Sequence, residues 1–367
     1  MKFEIARESL LKPLQQVIGA VERRQTLPAL ANVLIRANED GLQLTATDLE
    51  IELRADVAVE VERPGETTVT ARKLLDICRT LPSGAMVGVE MDGERVVVRS
   101  GRSRFTLVTL PPAEFPVVDE VQAQVEFQLG QAELKRAIDR ISFAMAQQDV
   151  RYYLNGLLFE LAGDRLRTVA TDGHRLSMCE IKTELPGADG QQVIVPRKGV
   201  IELARLLDAD SDEPVSIRVG SNHIQVDIPG LRFTSKLIDG RFPDYTRVVP
   251  ESGANEMRAD RETLRQALAR TSILSNEKYK GVRLALNGSG LSVQTHNPDQ
   301  EEAEEEIEVE YAGEDLEIGF NVVYLLDILG SIEGDNVQAQ FNDSNSSCLI
   351  TDVASDECRH VVMPMRL

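Results

Sequence analysis

Residues 42–48 read LQLTATD, residues 166–172 read LRTVATD, and residues 291–297 read LSVQTHN. The steps between them are 124 and 125 residues. A second marker keeps the step: Ala71-Arg72-Lys73 returns as Pro196-Arg197-Lys198. A third falls at Phe115-Pro116, Phe242-Pro243 and Met363-Pro364. Three markers in one order at nearly one step define an internal repeat, which decides the fold before any single element is read.

Each copy carries the same element order. A short strand (Phe3, Ile5) precedes Leu10, Leu14, Val17, Ile18 and Val21 at helical spacing. Leu134, Ile138, Ile141 and Met145 repeat that helix, as do Leu264, Leu268 and Thr271. Residues 51–61 alternate, with Ile51, Leu53, Ala55, Val57, Val59 and Val61 on one strand face. A second helix follows the Arg-Lys marker through Leu74, Leu75, Ile77, Cys78 and Leu81, and again through Val200, Ile201, Leu203, Ala204 and Leu207. Val323, Leu325, Leu326, Ile328 and Leu329 complete the set. The expectation is an α+β chain of three tandem two-helix, sheet-containing domains, 1–124, 125–252 and 253–367. Pro- and acid-rich seams near 116–126 and 243–256 mark the boundaries.

Several functions are disfavoured. No run approaches the roughly 18 apolar residues of a membrane span, and MKFEIARESL lacks the apolar core of a signal peptide. Cys78, Cys179, Cys348 and Cys358 are scattered without a CxxC pair, which argues against a zinc site and a disulfide framework and for a reducing, cytoplasmic setting. No Walker A, GxGxxG, HExxH or GxSxG motif is present. The best catalytic candidate is Thr171-Asp172-Gly173-His174-Arg175, with Asp172 orienting His174 as a base for a hydrolase or transferase. A tight turn is the preferred reading: Gly173 takes positive φ and Asp172 caps it. Asp48 holds the same repeat position as Asp172 with no histidine after it.

Charge is the most informative quantity once it is divided. The chain has 40 Lys+Arg against 60 Asp+Glu, a net charge of -20. Taken whole, that excludes binding of nucleic acid on an open basic face, and leaves an acidic scaffold as one alternative. The six expected helical spans, 7–24, 72–80, 131–151, 197–208, 260–280 and 320–332, carry +2, +2, +1, +1, +2 and -1. The helices are thus net +7 and the remainder -27. Residues 299–310, DQEEAEEEIEVE, form an acidic strand, and Arg95, Arg99, Arg102 and Arg104 a basic stretch that a second copy could offer it. Such a contact is head-to-tail and closes a ring if the rotation suits. Twelve helices about 10 Å across, six from each of two chains, would enclose a hole of about 28 Å, wide enough for a duplex of roughly 20 Å.

At TLPAL (26–30), TATDLE (45–50), RSGRSRF (99–105), AQQDVRYYLNG (146–156), TVATDGHRL (168–176), VIVPRKGVIEL (193–203), FTSKLIDGRFPDY (233–245), ILSNEKYKGVRL (273–284), NPDQEEAEEE (297–306) and VVMPMRL (361–367) the chain resembles the bacterial DNA polymerase III beta subunits, over essentially its whole length. The resemblance implies a DNA clamp fold and a non-catalytic, head-to-tail homodimeric ring without cofactors or metal, encircling duplex DNA irrespective of sequence. It implies as partners the replicative polymerase catalytic subunit, a clamp loader, and other polymerases and repair proteins carrying clamp-binding peptides. Its setting is the cytoplasm, at the nucleoid, with no membrane contact.

The same resemblance implies the site residues. Arg24, Arg72, Gln148, Tyr152, Tyr153, Arg197 and Lys198 would contact DNA. Leu154, Thr171, Gly173, His174, Arg175, Leu176, Pro243, Arg247, Val248, Ser347, Val361, Met363, Pro364, Met365, Arg366 and Leu367 would line a peptide cleft. Glu301, Glu302, Glu304 and Glu305 would face Lys73, Arg95, Arg102 and Arg104 of a second copy, with Ile273 and Leu274 packed on Phe105 and Leu107. Asn345 and His360 depart from the pattern common in the family, and either could tune peptide preference, an effect the sequence alone does not give.

Overall fold

The computed structural model describes residues 1–22, 27–185, 187–250, 253, 255–288 and 290–366. Each repeat contributes two α-helices: α1 (Arg7–Val17) and α2 (Ala71–Thr80), α3 (Gln131–Asp139) and α4 (Arg197–Leu206), α5 (Arg261–Thr271) and α6 (Val322–Ser331). Leu10, Leu14 and Val17 of α1 are buried, as are Leu74, Leu75 and Cys78 of α2, which packs against it. Each leucine so buried contributes about 1.5–3 kcal/mol.

Three helices are shorter than the hydrophobic pattern suggests. α1 and α5 tighten into 3-10 turns at Ile18–Ala20 and Ser272–Leu274. α3 ends at Asp139 and is followed by 3-10 turns at Ser142–Ala144 and Tyr152–Leu154. Ile141 and Met145 are buried as expected, but from irregular backbone. Gln148, at φ +57°, cannot sit in a right-handed helix. A 3.6-residue pattern persists through such turns because a 3-10 turn still returns its side chains to the same face.

The chain packs as two compact bodies, Met1–Ala132 with Arg205–Leu237, and Glu133–Ala204 with Ile238–Leu367. In the first, one thirteen-stranded antiparallel sheet runs across a repeat boundary. Strand Ile51–Val57 of repeat one pairs with Leu231–Lys236 of repeat two, Leu53 opposite Phe233. In the second body the equivalent step recurs. Strand Arg175–Lys182 of repeat two pairs with Cys358–Val362 of repeat three, Ser177 opposite His360. The strand after each marker turn thus pairs with the closing strand of the next repeat. The packing bodies therefore cut through repeat two, whose strands they share.

Repeat three offers the same strand, Glu302–Glu308, at the edge of a four-stranded sheet. Repeat one offers the same closing strand, Ser103–Leu110, which pairs with Arg95–Ser100 and, at Thr109 and Leu110 alone, with Gly65–Thr70. Among the described residues, neither Glu302–Glu308 nor Ser103–Val108 has a strand on its other side.

The cysteines depart from expectation. Cys179 and Cys358, 179 residues apart in sequence, lie opposite each other on paired strands and form a disulfide, with Cα atoms 4.1 Å apart. Sequence spacing carries no information about such a pairing, because the register that makes it is a tertiary fact. Cys78 and Cys348 are buried free thiols.

Candidate functional site

The marker turns are built from their own side chains. In repeat two, Thr171 Oγ1 donates to the Arg175 carbonyl (2.6 Å), and Asp172 Oδ1 accepts from the backbone N–H groups of His174 (2.9 Å) and Arg175 (3.0 Å). In repeat one, Thr47 Oγ1 donates to the Ile51 carbonyl (2.7 Å), and Asp48 Oδ1 accepts from Glu50 and Ile51 (2.9 and 2.8 Å). Asn297 does the same work for Asp299 and Glu301 in repeat three. Each turn needs one residue at positive φ: Leu49 (+77°), Gly173 (+88°) and Gln300 (+63°). The turn reading of TDGHR holds, and the dyad reading fails. Asp172 gives its second oxygen to Arg175 Nε (3.1 Å), so His174 has no carboxylate orienting it there.

Arg175 lies beneath this turn. Its side chain is 10% exposed, with Nη1 on Asp327 Oδ2 (2.6 Å) and Nη2 donating to the Phe143 carbonyl (2.8 Å). The guanidinium stacks over Tyr324 at 4.4 Å and Phe143 at 5.1 Å. It is a post that joins repeats two and three rather than an open ligand group. Asp172, Asp327, Tyr324 and Phe143 hold it, and sequence reasoning assigned none of them to the cleft. Asp327 lies 152 positions from Arg175, with no motif linking them.

The remaining cleft residues of the second body come together around one apolar cluster. Leu176, Val361, Leu158, Val169, Phe242 and Tyr245 are buried in it, with Tyr153 and Val248 packed on its edge. Leu154 is buried as well. Tyr245 Oη donates to Glu160 Oε1 (2.9 Å) and accepts from Arg167 Nη1 (2.9 Å), and burial pushes its hydroxyl up to about 12. Beside that anchor Val248 packs on the cluster and Pro243 is exposed, while Arg247 projects outward and pairs with Asp244 (2.8 Å). Met363 N–H donates to the His174 carbonyl (2.9 Å), which lays the start of the tail along the turn, whereas Met365 N–H donates to the Gly319 carbonyl (2.8 Å) and Met365 and Arg366 line a separate hollow of repeat three with Tyr279, Arg283 and His296. Met363, Pro364, Met365 and Ser347 are half-buried, and His174 and Arg366 are exposed. Leu367 lies outside the described residues. His360 does not reach this surface. It is buried, bonded through Nδ1 to Ser177 Oγ (2.9 Å) and stacked on Phe143, so its side chain offers a peptide no exposed surface. Asn345 is exposed on a turn capped by Asp343.

The residues assigned to DNA divide between the bodies. In the second, Gln148, Tyr152 and Tyr153 sit on one loop, beside Val150 at 95% exposure. Asn155 clamps that loop, accepting from Asp149 N–H and donating to the Asp149 carbonyl (2.9 Å each). Arg151 forms a fork on Asp149, whose carboxyl its hydrogen bonds hold at about 2, and reaches the Asp172 carbonyl (3.2 Å). A Cβ on Gly173 would come within 2.9 Å of the Arg151 guanidinium, the movable end of that side chain, so positive φ is what favours glycine there. Arg197 opens α4, its N–H on the Asn155 carbonyl and its Nη1 on the Met145 carbonyl, with Lys198 next to it. Asn155 and Arg151 were legible only as parts of a motif; their bonding was not. In the first body, Arg72 is the second residue of α2. Arg24 lies outside the described residues. The six helices carry +1, +2, 0, +2, +2 and -1, a net +6 against -26 elsewhere.

The two unpaired edges differ in charge. Arg95, Arg99, Arg102 and Arg104 are exposed around one, and Lys73 is exposed on α2. Glu302, Glu304, Glu306 and Glu308 are exposed along the other. Glu305 turns back to pair with Arg270 of α5, and Glu301 Oε2 accepts from Asn297 (2.7 Å). Ile273 is 76% exposed beside half-buried Leu274. Phe105 is half-buried, but Leu107 belongs to its own core. Val108, 71% exposed, is the apolar residue this edge offers and the sequence reading left out. Among the described residues no cluster of metal-ligating side chains occurs, and no helix is long and apolar enough to cross a membrane.

Tandem α+β repeats joined strand to strand, with a bonded turn where a catalytic dyad was conceivable, define a class of repeat protein built for binding. The three domains of the DNA polymerase III beta subunit match residues 1–119 (N-terminal), 128–244 (central) and 246–366 (C-terminal). The beta sliding clamps of Pseudomonas aeruginosa and Escherichia coli K12 are 55% and 54% identical, each match covering 100% of both chains. The solved sliding clamp of Pseudomonas aeruginosa bound to griselimycin superposes with a TM-score of 0.97 at 55% identity over 100% of both chains. The chain belongs to the DNA polymerase III beta subunit family.

Proposed function

We infer that this chain is a sliding clamp of DNA replication, a non-catalytic ring of two head-to-tail copies that encircles duplex DNA and tethers the replicative polymerase. The pairing rule carries the reading. Strand Ile51–Val57 takes the closing strand of repeat two, and Arg175–Lys182 takes that of repeat three. Continued across a chain boundary, Glu302–Glu308 takes Ser103–Leu110 of a second copy, acidic edge to basic edge. A head-to-tail contact made twice closes, and closure pairs both of these edges in each copy. Ile273 and Leu274 then meet Phe105 and Val108, while Glu302 and Glu304 face Arg95, Arg102 and Arg104, with Lys73 at the rim.

DNA contact falls to Arg24, Arg72, Gln148, Tyr152, Tyr153, Arg197 and Lys198. Phosphate contacts of this kind hold position without reading sequence, which suits sliding. The cleft around Leu176, Val361 and Val248, with its Met and Pro tail, takes short apolar peptides from the polymerase, a clamp loader and repair proteins. Methionine adapts to several such ligands. Domain limits of 1–124, 125–252 and 253–367 and a cytoplasmic, nucleoid setting complete the proposal. Loading the protein with a cognate loader on nicked circular DNA, washing at moderate salt and then linearising tests it. The protein stays on circles and runs off linear ends; equal loss from both forms overturns the ring.

A further inference from the structure

We propose that Cys179 and Cys358 are a peroxide-oxidised, reversible modification site: a dithiol whose disulfide staples the last strand of the chain to repeat two. The two residues are directly opposed in antiparallel register, Cα atoms 4.1 Å apart, and their sulfurs are bonded. A cavity of about 280 Å³ opens over them, lined by cations such as Arg140 and Lys182 and by the carboxylates of Glu133, Glu180, Asp356 and Glu357, and it admits a molecule the size of hydrogen peroxide. Arg140 Nη1 lies 3.9 Å from Cys358 Sγ, held in place by Glu333 (2.6 Å) and Glu357 (2.9 Å). A neighbouring guanidinium favours the thiolate, the reactive form. Cys78 and Cys348, buried like the pair but not bonded to another cysteine, serve as internal controls.

The chemistry balances with a hydroperoxide as oxidant. The Cys358 thiolate attacks one peroxide oxygen, the O–O bond breaks, and the departing hydroxide takes a proton to become water. Cys358 is left as a sulfenic acid. The Cys179 thiolate attacks that sulfur, the S–O bond breaks, and a second water leaves. Two electrons pass from the thiols to the peroxide, and both thiol protons end in water. An external dithiol reverses the step by exchange.

The bond closes one end of a ladder. On the same face of the two strands follow Ser177 opposite His360, then Arg175 opposite Val362. One residue beyond Val362, Met363 bonds the His174 carbonyl. Oxidation therefore suppresses separation of this strand from repeat two and holds the tail that follows it. The redox chemistry stands whatever ligand the tail meets.

The test uses the full-length protein, reduced, desalted, exposed to hydrogen peroxide, then unfolded with an alkylating agent and mapped by mass spectrometry. The expected product links the Cys179 and Cys358 peptides, while Cys78 and Cys348 are alkylated. The melting temperature rises by several degrees, amides 358–362 exchange more slowly, and dithiothreitol reverses both changes. Cys179→Ser and Cys358→Ser abolish them. Alkylation or sulfinic acid at both positions after peroxide overturns the proposal. So does a linked pair that leaves melting and exchange unmoved, a comparison that needs no variant to fold.

Discussion

At the scale of single residues, the chain places polar groups inside the body that must hold its seam. His360 shows what this costs. Burial first, and then the charge of Arg140, push its imidazole down to about 3. Ser177 Oγ and the Phe143 ring are its other neighbours. An unfolded histidine binds a proton below about 6.5, whereas the folded one stays neutral until about 3. The unfolded state therefore gains protons first as pH falls. Stability is complete above pH 6.5 and drops by about 1.4 kcal/mol per pH unit on the way down. Carboxylates held low, such as Asp149 and Glu262, both at about 2, contribute stability present above their usual range and lost only as pH falls from about 4.5 to 2. His223 is also lowered, by burial and Lys236, so a variant is needed to isolate His360. His360→Asn keeps a polar group near Ser177. Urea midpoints at pH 7.5, 6 and 5 should fall less steeply for the variant than for the wild type; parallel lines would remove His360 as the cause. The TDGHR turn was legible because Asp, Gly and a repeat position all pointed one way. The bonding of Arg175 and the burial of His360 were not, since both depend on groups from distant strands and helices.

Among elements, repetition was readable and edges were not. A period near 125 residues predicts matching helices and strands in each copy. It does not say which strand of one copy meets which strand of the next. Helix ends were overread for a related reason, because apolar spacing continues through the 3-10 turns after α1, α3 and α5. The acidic run could be read as a strand, yet only the sheet order shows that, among the described residues, Glu302–Glu308 lacks the partner its equivalents have. Two predictions belong here. Ile273→Ala with Leu274→Ala removes apolar surface from the proposed edge contact and should give monomers in sedimentation at micromolar protein, with circular dichroism unchanged. A surviving dimer contradicts the assignment. Reversing Glu302 and Glu304 to lysine should also give monomers, and adding Arg95→Glu with Arg102→Glu should restore the dimer at least in part. Failure of that rescue would show that the two edges do not face each other.

For the whole molecule, the sign of the charge misleads and its distribution informs. A chain at -20 with helices at +6 cannot hold DNA by bulk attraction, but it need not if closure holds the duplex. The consequence is a salt dependence unlike that of an open-face binder. A protein that neutralises 6–10 phosphates loses about 10³–10⁵ in affinity between 50 and 200 mM salt. A closed ring should lose almost nothing from circular DNA over that range. Its weak point is the pair of edge contacts, where exposed Arg and Glu side chains are screened at a Debye length of about 10 Å in 0.1 M salt. Ile273, Leu274, Phe105 and Val108 add an apolar part that salt does not weaken. Release from circles should therefore begin only at the salt concentration where sedimentation first shows monomers, and the two curves should shift together in Ile273→Ala. Release from circles well below the salt that splits the dimer would mean that phosphate contacts, not closure, hold the protein on DNA.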